Sequence, residues 1–170
     1  MEINAERVVE LVKSVRPLFM DHERASRITV KGAADFVTQV DFLVQERMRS
    51  GLFDMYPQVQ FMGEEKDNRD IDFSGAVWIL DPVDGTTNLI HDFRCSALSL
   101  ALCDRGQMEL GIIYQPYEDE LFLAQRGKGA FLNGNPIHVS SVKDLGQSLI
   151  SIGTSPYNHD LADRNFEDIK

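Results

Sequence analysis

The chain has 170 residues, of which 43% are hydrophobic and 26% charged, and its formal net charge is −10. This is enough for one domain with a sizeable core, while the acidic balance argues against nucleic acid or an anionic membrane as the main partner. No apolar run is long enough to span a membrane, and Met1 to Met20 mix charged with apolar positions instead of forming a signal-peptide core. We therefore expect a cytoplasmic protein.

Two helices are predicted in the first third of the chain. Apolar residues recur with helical spacing between Ala5 and Met20, and Pro17 should kink or end that helix near its last turn. The run Thr38–Asp41 resembles a capping box. A second helix with one apolar face should follow it and stop at Pro57.

The middle of the chain is predicted to be mostly strands. Val59–Met62 indicates a short strand, and Val77–Leu80 indicates a continuous apolar strand buried on both faces. An antiparallel meander should follow over residues 97–103, 109–114 and 120–124. Asn133-Gly134 is typical of a hairpin turn, and Leu149–Ile152 can add another strand. Helices followed by a run of strands favour a layered α+β arrangement.

Carboxylates follow both of the apolar strands. Glu64 and Glu65 come after the first, and Asp81 and Asp84 come after the second. If the strands are neighbours in one sheet, three or four carboxylates reach one point, where cations must neutralise them or their pKa values must rise. Hard oxygen ligands suit Mg²⁺, Mn²⁺ or Ca²⁺, and two such ions can hold the attacking and leaving oxygens of an in-line displacement.

The loop after the second strand combines ligands with a phosphate cradle. Asp81 and Asp84 are three positions apart, and with Pro82 fixing one φ angle a tight turn can aim both at one site. Gly85 permits backbone geometry that other residues resist. Thr86–Asn88 indicates a helix start, where free backbone N–H groups can hold a phosphate.

Each piece also has a plainer interpretation. The paired glutamates could form a solvated loop, the Asp-Pro-x-Asp-Gly run a simple turn, and Thr86-Thr87 a helix cap. We interpret His91 as packing against or capping its helix and not as a catalytic base. A calcium-sensor loop is disfavoured because its Asp-x-Asp-x-Asp-Gly ladder is missing. The occurrence of all these motifs in one chain favours a metal- and phosphate-binding site, since each part of such a site needs the others in order to work.

The motifs Gly63–Glu65 and Trp78–His91 resemble the inositol monophosphatase family, with supporting matches at Lys31–Asp41 and Gly127–Gly134. The resemblance implies a layered α/β sandwich of the sugar-phosphatase type. Two N-terminal helices would pack against a largely antiparallel sheet, and the C-terminal half would be absent. Residues 1–155 would form the N-terminal metal-binding phosphatase domain, and residues 156–170 the truncated start of the C-terminal portion.

The resemblance also implies the metal ligands. Glu64 and the Val83 carbonyl would bind a first metal, Asp84 would bind a second, and Asp81 would bridge the two. The ions would be two or three Mg²⁺, with Mn²⁺ as an alternative.

Further roles would fall on the phosphate-binding and water-activating residues. Gly85 and Thr86 would meet the phosphate through backbone N–H groups, while Thr86 with Asp41 would orient or activate the water. Glu65 would support the ligands, and Asp41 could also touch a third, weaker metal. The implied catalytic residues are Asp41, Glu64 and Thr86, and the implied substrate-binding residues are Glu64, Val83, Asp84, Gly85 and Thr86.

The implied function is Mg²⁺-dependent hydrolysis of a phosphate monoester by a metal-activated water, with myo-inositol 1-phosphate as the first substrate to consider. Phosphatases of fructose 1,6-bisphosphate, histidinol phosphate, NADP and 3′-phosphoadenosine nucleotides belong to the same superfamily, so their substrates stay open. An inactive, truncated metal-binding module is another hypothesis. The expected partners are a small phosphorylated polyol and a second copy of the chain in a homodimer, without nucleic acid or membrane.

The chain departs from the family in its length. The second half of family members carries a Trp-Asp-x-Ala-Ala-Gly-type motif whose aspartate completes the second metal site, and Asp160, Asp163 and Asp168 lack that context. We therefore expect a fragment of a longer protein, with a truncated product as the alternative. The isolated chain should bind Mg²⁺ weakly and turn over poorly.

Overall fold

The computed structural model describes residues 3–32, 36–64 and 67–151, together with Arg164 and Glu167. The described part contains a layer of helices and a mostly antiparallel sheet. The helices are α1 (Ala5–Lys13), α2 (Arg16–Phe19), α3 (His22–Ala25), α4 (Gln39–Met55) and α5 (Thr86–Ile90). The strands are β1 (Ile28–Val30), β2 (Phe36–Thr38), β3 (Gln60–Gly63), β4 (Ala76–Asp84), β5 (Ala97–Asp104), β6 (Gln107–Gln115), β7 (Glu120–Gln125), β8 (Gly129–Leu132) and β9 (Asn135–Ile137).

The main sheet has seven strands in the order β3-β4-β5-β6-β7-β8-β9. The β3–β4 pair is parallel and every later pair is antiparallel. The Asn133-Gly134 hairpin between β8 and β9 is confirmed, with φ angles of 47° and 81° at the two turn residues. The α+β class expected from the sequence is therefore confirmed.

The core lies between the helices and one face of this sheet. Helices α1 and α4 turn their buried apolar residues towards β4, β5 and β6, where alternate side chains point back at them. A fully buried aliphatic or aromatic side chain of this kind contributes roughly 1.5–3 kcal/mol. The largest members of the cluster that are under 2% exposed include Met48, Leu52, Trp78, Leu100, Ile112 and Tyr114.

Helix α4 begins where the capping box predicted. The Thr38 hydroxyl accepts a hydrogen bond from the Val40 N–H at 3.1 Å, and Asp41 Oδ2 accepts one from the Thr38 N–H at 2.8 Å. Together these contacts satisfy backbone donors that the helix itself leaves unpaired. The cap also fixes the Asp41 carboxylate at the N-terminal end of the helix.

Two predictions about the N-terminal region were wrong. Helix α1 ends at Lys13, and Pro17 lies in the first turn of the separate helix α2, where its missing N–H costs no hydrogen bond. Between α2 and α4, where no helix or strand was predicted, the chain forms α3 and the antiparallel β1–β2 pair. These strands have three residues each, and all three residues of β1 are exposed, so the strands are too short to show the apolar alternation over four to eight residues that identifies a half-buried strand.

The strand predicted over Leu149–Ile152 was also wrong within the described residues. Positions 149–151 belong to no strand, Leu149 is fully exposed, and position 152 lies outside the described residues. An apolar run forms a strand when a neighbouring strand accepts its hydrogen bonds, and none of the described strands pairs with this one. Among the described helices, none is long and apolar enough to cross a bilayer.

Candidate active site

The parallel β3–β4 pair brings the two acidic strand ends together. Gly63 lies opposite Leu80 in the ladder, and the Glu64 N–H donates to the Leu80 carbonyl at 3.1 Å. Glu64 therefore leaves its strand beside Asp81, and the two carboxyl groups are close enough to influence each other electrostatically. The expectation that these strands are neighbours is confirmed.

The carboxyl group of Asp81 is unusually basic. Burial raises its pKa to about 7, with further contributions from the charge and hydrogen bond of Glu64 and from the charge of Asp84. The Val83 N–H, which donates to Asp81 Oδ1 at 3.1 Å, acts in the opposite direction. Three carboxylates are thus electrostatically coupled at one edge of the sheet.

The acidic segment belongs to a bulged strand and not to the tight turn predicted from the sequence. Strand β4 continues to Asp84, and its register with β5 shifts between Asp81, which pairs with Ser99, and Asp84, which pairs with Ala97. A bulge re-aims side chains and leaves a residue out of the ladder, so the missing N–H of Pro82 is tolerated there.

Gly85 joins this strand to α5 in a conformation that favours glycine. Its φ is +85°, and a Cβ added to it would lie 3.0 Å from the Cys95 carbonyl and 3.1 Å from Asn88 Nδ2. The Asn88 amide itself donates to that Cys95 carbonyl at 2.7 Å. The loop is therefore closely packed against the segment before β5. The backbone geometry of Gly85 and the helix start at Thr86 agree with the sequence predictions.

Asp41 and Thr86 are brought together from distant parts of the chain. The Thr86 hydroxyl lies 3.1 Å from Asp41 Oδ1 and 3.1 Å from the Val83 carbonyl, so its single proton can be given to either acceptor. Asp41 is 1% exposed, and its other oxygen accepts the 2.6 Å hydrogen bond from the Thr38 hydroxyl. The carboxylate is therefore held rigidly towards Thr86.

Two residues outside the motifs lie against the end of β3. The Asn68 side chain donates to the Gly63 carbonyl at 2.7 Å and accepts from the Gly63 N–H at 3.3 Å. Gln45 is 6% exposed, and a Cβ at position 63 would collide with its Oε1. Gln45 could have been found as a polar residue one turn after Asp41 on the apolar face of α4, whereas Asn68 lies in a charged loop without any pattern.

Two of the singled-out residues contribute differently. His91 takes the C-cap position of α5, which agrees with its capping interpretation, but its side chain is exposed and does not pack into the core. Glu65 lies outside the described residues.

A groove of about 1180 Å³ between α1 and β7 is lined by Asn4, Tyr56 and Leu121 among others, and none of the predicted site residues borders it.

The donor set at the acidic edge fits a hard divalent cation. Within the described ranges, no group of three His, Cys, Asp or Glu side chains is placed so that it could hold a metal ion by itself. Mg²⁺, however, needs one or two protein carboxylates and completes its shell with waters and phosphate. Burial and then repulsion from neighbouring carboxylates raise the pKa of Asp81; a bound cation would offset both effects, and the Asp81 proton would leave on binding.

Comparison with known proteins gives consistent matches. A model of the inositol monophosphatase family matches residues 2–169. The chain is 38% identical to the inositol monophosphatase of Dictyostelium discoideum over 166 residues, which cover 95% of this chain and 60% of that protein.

Solved structures agree with these matches. The extragenic suppressor protein suhB from Bartonella henselae matches with a TM-score of 0.74 and 33% identity, over 81% of this chain and 55% of that one. An IMPase/NADP phosphatase complexed with NADP and Ca²⁺ matches with a TM-score of 0.69 and 28% identity, over 78% and 51%. The chain spans about half to three fifths of the length of the curated relatives that it matches.

Proposed function

The chain belongs to the inositol monophosphatase family, and from this premise we propose that it carries the metal- and phosphate-binding part of a phosphate monoester hydrolase. The substrate that we propose is myo-inositol 1-phosphate, cleaved to inositol and phosphate. The observation that carries the proposal is the coupling of Glu64, Asp81 and Asp84 at the strand end from which the chain passes through Gly85 to the Thr86–Asp41 pair.

We propose that Glu64, Asp81, Asp84 and the Val83 carbonyl hold Mg²⁺, for which Mn²⁺ could substitute. When bound, the cation supplies Lewis-acid chemistry, because it activates water and offsets charge on the phosphate oxygens. The acidic edge would repel a phosphate dianion without it. The chain's own part would be to keep these carboxylates at neighbouring strand ends, which the β3–β4 ladder and the Asn68 contacts support.

The Thr86–Asp41 pair is suited to receive a proton from the attacking water. With the Thr86 hydroxyl donating to Asp41 Oδ1, the lone pairs of the hydroxyl remain free to accept a hydrogen bond. A water bound there would be oriented by Thr86, and its proton could pass through the hydroxyl to Asp41. The N–H groups of Gly85 and Thr86 would hold the phosphate, since a helix leaves its first N–H groups unpaired.

The direct test is Mg²⁺-dependent release of phosphate from myo-inositol 1-phosphate by the chain and two variants. Asp84→Asn removes one proposed ligand charge with little change in size and should abolish whatever release the chain shows. Glu118→Gln removes an exposed carboxylate outside the site and should leave the rate unchanged. Equal and measurable rates for the two variants would contradict the proposal, while Mg²⁺ binding by a wild-type chain that releases no phosphate would favour an inactive metal-binding module.

Phosphate on a nucleotide is the second candidate substrate. The similarity to a solved IMPase/NADP phosphatase complexed with NADP favours NADP over fructose 1,6-bisphosphate, histidinol phosphate and 3′-phosphoadenosine nucleotides. Comparing kcat/KM for NADP and myo-inositol 1-phosphate under the same conditions separates the two candidates. A ratio above one in favour of NADP would replace the inositol phosphate as the proposed substrate.

A further inference from the structure

Ser96 contacts the glycine of the acidic loop although no motif includes it. It lies just before β5 and is 2% exposed. Its hydroxyl donates to the Gly85 carbonyl at 2.8 Å, across eleven positions of the chain. The hydroxyl of this buried serine therefore fixes the position of the Gly85 carbonyl and adds little apolar surface to the core.

The Gly85 carbonyl matters because of the group on the other side of the same peptide bond. The carbonyl of Gly85 and the N–H of Thr86 belong to one planar trans unit and point in opposite directions. The carbonyl also accepts the Leu89 N–H at 3.1 Å. With two donors on the oxygen, the plane of this peptide is fixed, and so is the direction of the Thr86 N–H.

Glycine makes this restraint necessary. The φ of +85° at Gly85 is accessible because glycine has no Cβ, and the same freedom lets the peptide plane rotate more easily than at other residues. The Asn88 amide holds the neighbouring Cys95 carbonyl at 2.7 Å, so the segment containing Cys95 and Ser96 is itself held against the loop. Ser96 then transmits that rigidity to the Gly85–Thr86 peptide.

We propose that Ser96 is a positioning residue for the phosphate group of the substrate. It acts through the Gly85 carbonyl and keeps the Thr86 N–H turned towards the place where the phosphate binds. The inference rests on the proposed function of this loop and adds to it a residue that the family motif does not contain.

Tyr117 supplies a matched control beside the same serine. Burial raises the pKa of the Tyr117 phenol, and the neighbouring Ser96 hydroxyl lowers it, which places the two groups close together. The phenol oxygen nevertheless meets hydrogen-bond geometry with no group in the described part of the chain. Tyr117→Phe therefore disturbs the surroundings of Ser96 without removing the bond to Gly85.

The experiment compares the full chain with Ser96→Ala, Ser96→Cys and Tyr117→Phe. Residual dipolar couplings report the direction of the Thr86 N–H in the ligand-free chain, and calorimetry reports the affinity for Mg²⁺ and, with Mg²⁺ present, for inorganic phosphate. Ser96→Ala should change the Thr86 coupling and weaken phosphate binding by about fivefold, the typical effect of one neutral hydrogen bond, while Mg²⁺ affinity stays the same. Ser96→Cys, a weaker donor, should fall between, and Tyr117→Phe should match the wild type.

The outcomes separate the inference from the proposed function. An unchanged Thr86 coupling in Ser96→Ala would overturn the inference, as would equal losses of Mg²⁺ and phosphate affinity, which indicate general damage. A wild-type chain that binds no phosphate would contradict the proposed function itself. In that case the ligand-free coupling would still decide whether Ser96 sets this peptide plane.

Discussion

Asp81 and Asp119 are carboxylates in opposite surroundings. Asp119 accepts a 2.7 Å hydrogen bond from the Tyr114 hydroxyl and lies 3.2 Å from Lys13 Nζ. The Tyr114 hydrogen bond, followed by Lys13, lowers the pKa of Asp119. Asp81 is more deeply buried and has Glu64 and another carboxylate as charged neighbours, so its pKa is raised to about 7.

This difference is the one expected between a structural carboxylate and a proposed metal ligand. Asp119 ties α1 to the β6–β7 connection, and its charge is balanced by the chain itself. The charge of Asp81 is opposed by its neighbours, which costs stability in the free chain. Such an arrangement is useful if a cation from solution completes it, and perturbed pKa values of this kind are typical of functional sites.

The largest expected effect comes from pushing the acidic edge out of place. In Gly63→Ala the new Cβ would collide with Gln45 Oε1 and lie 3.0 Å from the Phe61 ring. Overpacking of this kind costs typically ~2 kcal/mol, and it should also weaken Mg²⁺ binding because Glu64 is the next residue. Urea unfolding and calorimetry measure the two effects.

Gly111→Ala is the matched control for that variant. Gly111 lies in β6 of the same sheet, with no atom within 4 Å of the added Cβ. It should stabilise the chain slightly, by about 0.5 kcal/mol, because alanine reduces the freedom of the unfolded chain. If both variants behave alike, the close contact between Gln45 and Gly63 does not hold the acidic edge.

A smaller loss is expected when the balanced carboxylate is neutralised. Asp119→Asn weakens the contacts with Tyr114 and Lys13 and should destabilise the chain by about 1 kcal/mol at neutral pH, a low value because the side chain is 44% exposed. Because folding lowers the pKa of Asp119, the carboxylate contributes its full stabilisation at pH values above the ordinary pKa of 3.8. It disappears as the pH falls through the folded-state pKa, so thermal unfolding in acid should no longer separate variant from wild type.

The opposite sign is expected at Asp81, where the effect lies in how the stability of the chain depends on pH. In metal-free buffer the raised pKa means that the folded chain binds this proton more tightly than the unfolded chain. Stability should therefore fall as the pH rises from the ordinary value of 3.8 to about 7. Asp81→Asn should remove this fall and leave the chain slightly more stable above neutral pH. A destabilised variant in thermal unfolding with chelator would show that Asp81 is a structural carboxylate like Asp119.

Local signals in the sequence predicted much of the site. The capping box at Thr38 correctly predicted the start of α4 and so the place of Asp41. The apolar run before Asp81 is a strand, and the glycine at position 85 has the unusual backbone conformation that was expected. The bulge was missed because it depends on the partner strand, since pairing with Ser99 and Ala97 keeps the acidic segment in the sheet. Asn68 and Ser96 were missed because their roles depend on contacts that only the folded chain creates.

If the acidic edge is a functional site, it must bind a cation. The decisive experiment is a Mg²⁺ titration by calorimetry at a pH above the Asp81 pKa of about 7. The wild-type chain should bind Mg²⁺, Asp81→Asn should bind it at least about tenfold more weakly, and Asp119→Asn should bind it as the wild type does. Equal Mg²⁺ affinities for all three proteins, or no binding by the wild type, would contradict the assignment of a metal site to this edge of the sheet.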